Sequence, residues 1–187
     1  MPISPADLHR HTRGAVYVEF LVAFMPVFVC FLCLLQLALL YSQRLLVDHA
    51  AVQSARAAAV VFADSADAYG DGASGVHTLS AERRRAVREA ALISLAPAIL
   101  DGSVDRVELF FPDATMPGGP DLGVDAPLTP LAVGPPQMVR VRVEVDVVCK
   151  IALADRVACE RGSAGRQVRR IRAESAFPYQ GARYVYR

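Results

Sequence analysis

The sequence predicts an α+β protein: one long N-terminal helix, half of it membrane-borne, one shorter helix, and a small antiparallel sheet. Three observations carry that expectation. From Phe20 to Tyr41 no side chain is charged, and about 20 such residues suffice to cross a bilayer's hydrocarbon as a helix. Beyond Tyr41 a three- and four-residue period continues without a stop through Leu45, Leu46, His49, Val52, Arg56, Ala59 and Val60. Nearer the C-terminus the period becomes two: Val139, Val141, Val143, Val145 and Val147 alternate with Arg140, Arg142, Glu144 and Asp146, the pattern of a strand buried on one face.

Residues 1–14 read as a polar cytoplasmic leader in which Arg10 and Arg13 outweigh Asp7. By the positive-inside rule this end stays in the cytoplasm, and the C-terminal part crosses to the other side. The following span, 15–41, is too long for a secretory signal core and ends without a small-x-small cleavage site, so the anchor is expected to be retained. Bulky residues precede Cys30 and Cys33, which argues against a lipoprotein site. Pro26 lies inside the span, where it removes one helical hydrogen bond and invites a bend. Residues 42–66 continue the same helix outside the membrane, with Gln43, Asp48, Gln53 and Ser54 on its wetter face. A helix from about Ala15 to Ala66 would be roughly 78 Å long at 1.5 Å per residue.

An extracytoplasmic α+β domain is expected over 67–187. Asp64 to Leu79 reads as a loop, and Asp64, Asp67 and Asp71 lack the spacing and closing glutamate of a calcium loop. Ser80 is placed to cap a helix over Ala81 to Leu95, with Ala86, Val87, Ala90, Ile93 and Leu95 on its less polar side. Arg83, Arg84 and Arg85 are then expected on a solvated face, partly balanced by Glu82 and Glu89, and Pro97 is expected to end the helix. Val104 to Phe111 reads as a strand with Val107, Leu109 and Phe111 on one face. The proline- and glycine-rich stretch 112–136 reads as a long extended loop that wraps the domain or meets a partner. After the valine strand, Cys149 to Arg166 reads as a small excursion. Val168 to Phe177 returns as a strand that pairs antiparallel with the valine strand, ahead of an aromatic tail at Tyr179, Tyr184 and Tyr186.

Charge and chemistry narrow the function classes. A net charge of +1 leaves no nucleic-acid footprint. There is no Gly-x-Ser-x-Gly elbow, His-Glu-x-x-His helix or phosphate-binding glycine loop, and His49 and His77 have no matching ligands, so neither catalysis nor a metal or cofactor is expected. Cys30 and Cys33 lie in the apolar run, where thiols behave as small hydrophobes. Cys149 and Cys159 lie in the exported part and are candidates for a disulfide closing a short loop in an oxidising compartment.

Glu19 is the anomaly, a carboxylate at the mouth of the apolar run, where an ionised group is costly. One reading leaves it at headgroup level near water and the helix N-terminus. The other notes Gly14 five positions upstream: hydrolysis after Gly14 would place a new α-amino group on Ala15, one helical turn from Glu19. That ammonium and the carboxylate of a neighbouring subunit would compensate one another in an apolar core.

Gly14, four intervening residues, Glu19 and Phe20, Pro26, a Leu/Val/Phe-rich span, and then an Ala-rich helix with Asp48, Gln53, Ala55, Arg56 and Ala57 to Ala59 resemble the TadE-like pseudopilin family of the tight-adherence (Tad, type IVc) pilus systems of bacteria. The likeness covers about residues 13 to 60. It implies cleavage by a prepilin peptidase after Gly14, a processing or docking role for Glu19 and Phe20, lipid and other pilins or pseudopilins as partners, and a pilin-like domain anchored in the inner membrane. Glu-Phe in place of the Glu-Tyr of major Tad pilins, with a long extension, implies a minor pseudopilin. An uncleaved single-pass envelope scaffold of a secretion apparatus is the alternative, and a ligand-sensing exported domain with a concave pocket is a third.

Overall fold

The computed structural model describes residues 5–64, 66–69, 78–113, 117–126, 138–162 and 164–179; in the first helix, side chains are described from Val16 onward. Helix α1 runs from Pro5 to Val61, 57 residues, about 85 Å at 1.5 Å per residue. It begins ten residues earlier than the hydropathy pattern suggests. Proline at the first helical position costs nothing, because the N–H it lacks would have no intrahelical partner and its φ is already helical. Pro26 lies inside the helix without interrupting it.

Helix α1 also ends at Val61 instead of continuing to Ala66. After Phe62 and Ala63 the chain turns, and Ala66–Tyr69 forms one 3-10 turn. The terminator is a distant residue. Arg83, fully buried, donates from its guanidinium to the Val61 carbonyl and, at 3.1 Å, to the Asp64 carbonyl. A guanidinium at a helix C-terminus satisfies carbonyls that the helix cannot pair and opposes the negative end of its macrodipole. The same guanidinium lies 4.6 Å from the centre of the Tyr69 ring, which fixes the 3-10 turn against the helix end. The expected solvated arginine face is therefore corrected at Arg83. It holds at Arg85, whose pair with Glu89 at 3.1 Å is well exposed.

Helix α2 (Ala81–Leu100) starts where Ser80 accepts a hydrogen bond from the Arg83 amide. It runs through Pro97 to Leu100, one turn beyond the expected stop. The Asp101 and Gly102 amides donate to the Pro97 and Ile99 carbonyls, and Gly102 takes a positive φ of 72° that releases the chain toward the sheet. Its inward residues are Arg83, Val87, Ala91, Leu95 and Ala98. Ile93, expected inward, is 75% exposed.

Strands β1 (Val104–Phe110), β2 (Met138–Val148), β3 (Glu160–Arg161) and β4 (Gln167–Pro178) form one sheet in the order β1-β2-β4-β3. A short helix, α3 (Asp155–Ala158), stands between β2 and β3. β2 pairs antiparallel with β1 and, along its whole length from Met138↔Pro178 to Val148↔Val168, with β4. Val141, Val143, Val145 and Val147 are buried, facing the upper half of α1 with Ile171 and Ala173 of β4.

The α1 face that meets the sheet and α2 is Val47, Ala50, Ala51, Ser54, Ala55, Ala58 and Ala59, with Phe62 just past the helix end, all buried. It is rotated from the expected stripe, since Leu45 and Val60 are 55% and 65% exposed. Small residues decide the matter: alanines let a helix axis approach a sheet and a second helix together, where leucine would hold them apart. Ser54 fits the apolar contact because its hydroxyl donates to the Ala50 carbonyl at 2.6 Å.

The outer sheet face is a lattice of alternating charge. Glu144, 8% exposed, lies opposite Glu108, a repulsive cross-strand pair. Arg172 at 3.2 Å and Arg142 at 3.3 Å from its carboxylate offset that repulsion, and Arg106 pairs with Glu108. Arg170 reaches Asp146 with two contacts of 2.8 and 3.1 Å. That hydrogen bond holds the Asp146 carboxyl below its usual value, even though burial works the other way. Because the folded-state value is depressed, this pair's stabilisation is complete above the unfolded value near 3.8. It is lost as pH falls through the lower folded value. Asp146→Asn should thus cost less than about 1 kcal/mol at neutral pH, Arg170 being half exposed. The deficit should shrink progressively once the pH falls below 3.8, as read from urea midpoints at neutral and at acid pH; an equal deficit at both would refute the assignment.

Within the loop over 112–136, residues 117–126 wrap the domain, and 114–116 and 127–136 lie outside the described residues. Asp121 accepts from the Phe111 amide at 2.6 Å, Leu122 donates to the Phe111 carbonyl, and Leu79 exchanges two backbone bonds with Asp125 and Ala126. Gly118 donates to Glu174 at 3.0 Å. Tyr179 donates to the Phe62 carbonyl at 3.3 Å, and its burial raises the phenol's pKa. Asp71, His77, Tyr184 and Tyr186 lie outside the described residues.

Candidate functional site

The lower part of α1 is an extended exposed apolar surface. None of its most apolar 18-residue stretch is buried by the rest of the chain, and the helix is long and apolar enough to cross a membrane. Glu19 is exposed on this segment, and no described residue pairs with its carboxylate. Gly14 and Ala15 lie in the same unbroken helical backbone, so Ala15 and Glu19 are one turn apart, about 6 Å along the axis. The elements therefore bring the four residues expected at a processing and docking site onto one short length of helix.

Phe20 opens an aromatic ladder. Its ring stacks on Phe24 at 5.5 Å, and Phe24 on Phe28 at 5.6 Å, as the four-residue spacing places them on one face. All three remain exposed, Phe20 at 61%. A carboxylate bounded by an apolar ladder suits contact with another helix or with lipid.

Gln36 is the first residue of α1 to be buried, among the described side chains. This side chain is 1% exposed, and its Oε1 accepts a hydrogen bond from the Ile151 amide at 3.0 Å. Sequence reasoning passed over it: the signal was the one amide in an otherwise apolar run, four residues from Leu40 and seven from Gln43, on the face that turns out to be covered. The contacting loop is closed by a bond between the Cys149 and Cys159 sulfurs, whose Cα atoms are 6.6 Å apart. Closing a loop this short removes unfolded-state entropy worth roughly 2–3 kcal/mol. Cys30 and Cys33 are free thiols on the apolar helix.

An open groove of about 830 Å³ lies between α2 and the unpaired edge of β1, lined in part by Arg84, Arg85, Arg88 and Arg106. Three of these arginines are already engaged: Arg84 with Asp121 at 2.9 Å and over the Phe111 ring, Arg85 with Glu89, and Arg106 with Glu108. Among the described residues no three His, Cys, Asp or Glu side chains are grouped to hold a metal ion. The chain matches no protein-family model, no curated protein and no solved structure.

Proposed function

We propose that this chain is a minor pseudopilin of a Tad-type (type IVc) pilus assembly system. It would be inserted in the bacterial inner membrane with its N-terminus in the cytoplasm, processed after Gly14, and assembled beside other pilins through α1. The observation that carries this reading is the division of one helix: an exposed apolar lower half with Glu19 one turn beyond Ala15, and an upper half packed under a small antiparallel sheet. Such a helix presents the same face to lipid before assembly and to neighbouring helices after it. An ammonium on Ala15 of one subunit would compensate Glu19 of the next, which removes the cost of leaving either charge alone in an apolar core.

In cells that contain the peptidase, N-terminal sequencing of the membrane-extracted protein should begin at Ala15. Gly14→Arg should retain the leader, and Glu19→Ala should lower fibre yield by an order of magnitude or more while leaving the protein in the membrane. An intact leader in the wild-type protein, or fibres unaffected by both changes, would sink the proposal. The uncleaved single-pass scaffold would then stand, a reading favoured by the course of α1, which passes through Gly14 without leaving helical geometry.

A further inference from the structure

The domain meets α1 at a height that one bilayer thickness explains. From Glu19, at the mouth of the apolar run, to Gln36 the helix rises about 26 Å, close to the thickness of a hydrocarbon core. The charge-free run extends to Tyr41, but Gln36 is already buried against the domain. Gln36, Asp101 and Lys150 line one small cavity, and Lys150 reaches the Asp101 carbonyl at 3.3 Å. The end of α2 and the disulfide-closed loop are therefore level with the top of the exposed span.

This end of the domain carries apolar side chains that the described residues leave exposed. Leu100, the last residue of α2, is 87% exposed, Val157 of α3 74%, and Leu153 48%. Leu153 also holds a φ of 72°, a left-handed conformation that costs a leucine about 1 kcal/mol or more and that glycine or asparagine would adopt freely. A water-facing turn gains nothing from leucine there. Next to the lower half of α1 the loop would meet the same medium as that half does.

We propose that the loop from Lys150 to Ala158, closed by Cys149–Cys159, is a bilayer foot: Leu153 and Val157, with Leu100 beside them, enter the acyl-chain boundary of the leaflet on the domain's side. The Gln36–Ile151 hydrogen bond sets the depth of the foot relative to the span. The disulfide holds the loop in shape before it meets lipid, so little ordering entropy is lost on insertion. Lys150 and Arg156 stand at headgroup height, where long cationic side chains extend toward water and phosphate. The foot thereby limits both the tilt of α1 and how far the domain can rise from the membrane. This inference rests on α1 crossing a bilayer, as the proposed function also requires.

The chain contains no tryptophan, so a single introduced indole reports on one place. Full-length Leu153→Trp, Val157→Trp, Phe24→Trp and Val124→Trp proteins would be reconstituted into phosphatidylethanolamine/phosphatidylglycerol vesicles, with and without brominated acyl chains. Phe24 tests the span, and Val124, 62% exposed beside the groove at the other end of α2, is the water reference. Indoles at 153 and 157 should emit to the blue of that at 124 and lose most of their intensity to bromine, as the indole at 24 does. Quenching at 24 with water-like emission at 153 and 157 would overturn the foot and leave the span intact. Blue-shifted emission at 153 and 157 that bromine does not quench would also overturn it, because a second copy of the protein would then cover the loop. Absence of quenching at 24 would overturn the span itself, and the foot with it.

Discussion

Arg83→Met should lower the unfolding free energy by about 3 kcal/mol, the largest loss expected from any one of the three consecutive arginines. Methionine replaces much of the arginine stem's volume but cannot donate to the Val61 and Asp64 carbonyls that Arg83 holds. A carbonyl shielded from water and left without a donor costs on the order of 1–3 kcal/mol, which applies to half-buried Val61, whereas exposed Asp64 can turn to water. The Tyr69 ring loses its cation at the same time, a contact worth roughly 0.5–2 kcal/mol depending on its desolvation. Arg85→Met, two residues on, removes only an exposed ion pair and should stay within about 0.5 kcal/mol of the wild type. Urea unfolding in one fixed detergent separates the two. The midpoint should fall steeply for Arg83→Met at an unchanged slope and hardly move for Arg85→Met. Equal, small effects would refute the account of how α1 is terminated.

Ala58→Leu should be comparably damaging, at about 3 kcal/mol, for the opposite reason. Ala58 has no exposed surface, and it belongs to the core formed where α1, α2 and the sheet meet. Three added carbons have no cavity to enter, so the helix must move away from the sheet or the side chain must take an unfavourable rotamer. Val60→Leu, on the exposed side of the same turn at 65% exposure, should leave stability almost unchanged. The comparison asks which face of α1 is the packed one. If Val60→Leu were the costly change, the expected stripe through Leu45, Val52 and Val60 would be right and the observed rotation wrong.

The two experiments probe the points at which one segment's role was set by another. The apolar run, the alternating valines and the Ser80 cap are local signals. Each depends on residues within a few positions; the valines and the cap gave their elements at nearly the expected place, and the apolar run gave a helix that begins and ends earlier than expected. The antiparallel pairing of β2 with β4 was legible as well, because two alternating segments joined by a short excursion have a favourable partner in one another. The packed face of α1 was not legible in hydropathy, which ranks leucine and valine above alanine, whereas a helix between a sheet and a second helix selects for small size. Ile93 was misplaced for a related reason: Val87, Ala91 and Leu95 already filled the inner face at four-residue steps.

The candidate site divides along the same line. Gly14, Ala15, Glu19 and Phe20 were nominated by the resemblance they carry, and helical geometry puts them within one or two turns whatever the rest of the chain does. Gln36 and Arg83 could not be assigned in that way. An amide in an apolar run and an arginine among arginines acquire their roles only when Ile151 and the end of α1, 115 and 22 residues away, are brought against them.

Sequence by itself determined that this protein has a membrane-length apolar helix with a single acid near its entrance, and a strand with one buried face. Those properties follow from composition and period, which act over a few residues. Tertiary structure decided where the helix stops, which of its faces is packed, and at what height the domain sits on it. These depend on hydrogen-bond donors and side-chain volumes supplied by parts of the chain far away in sequence.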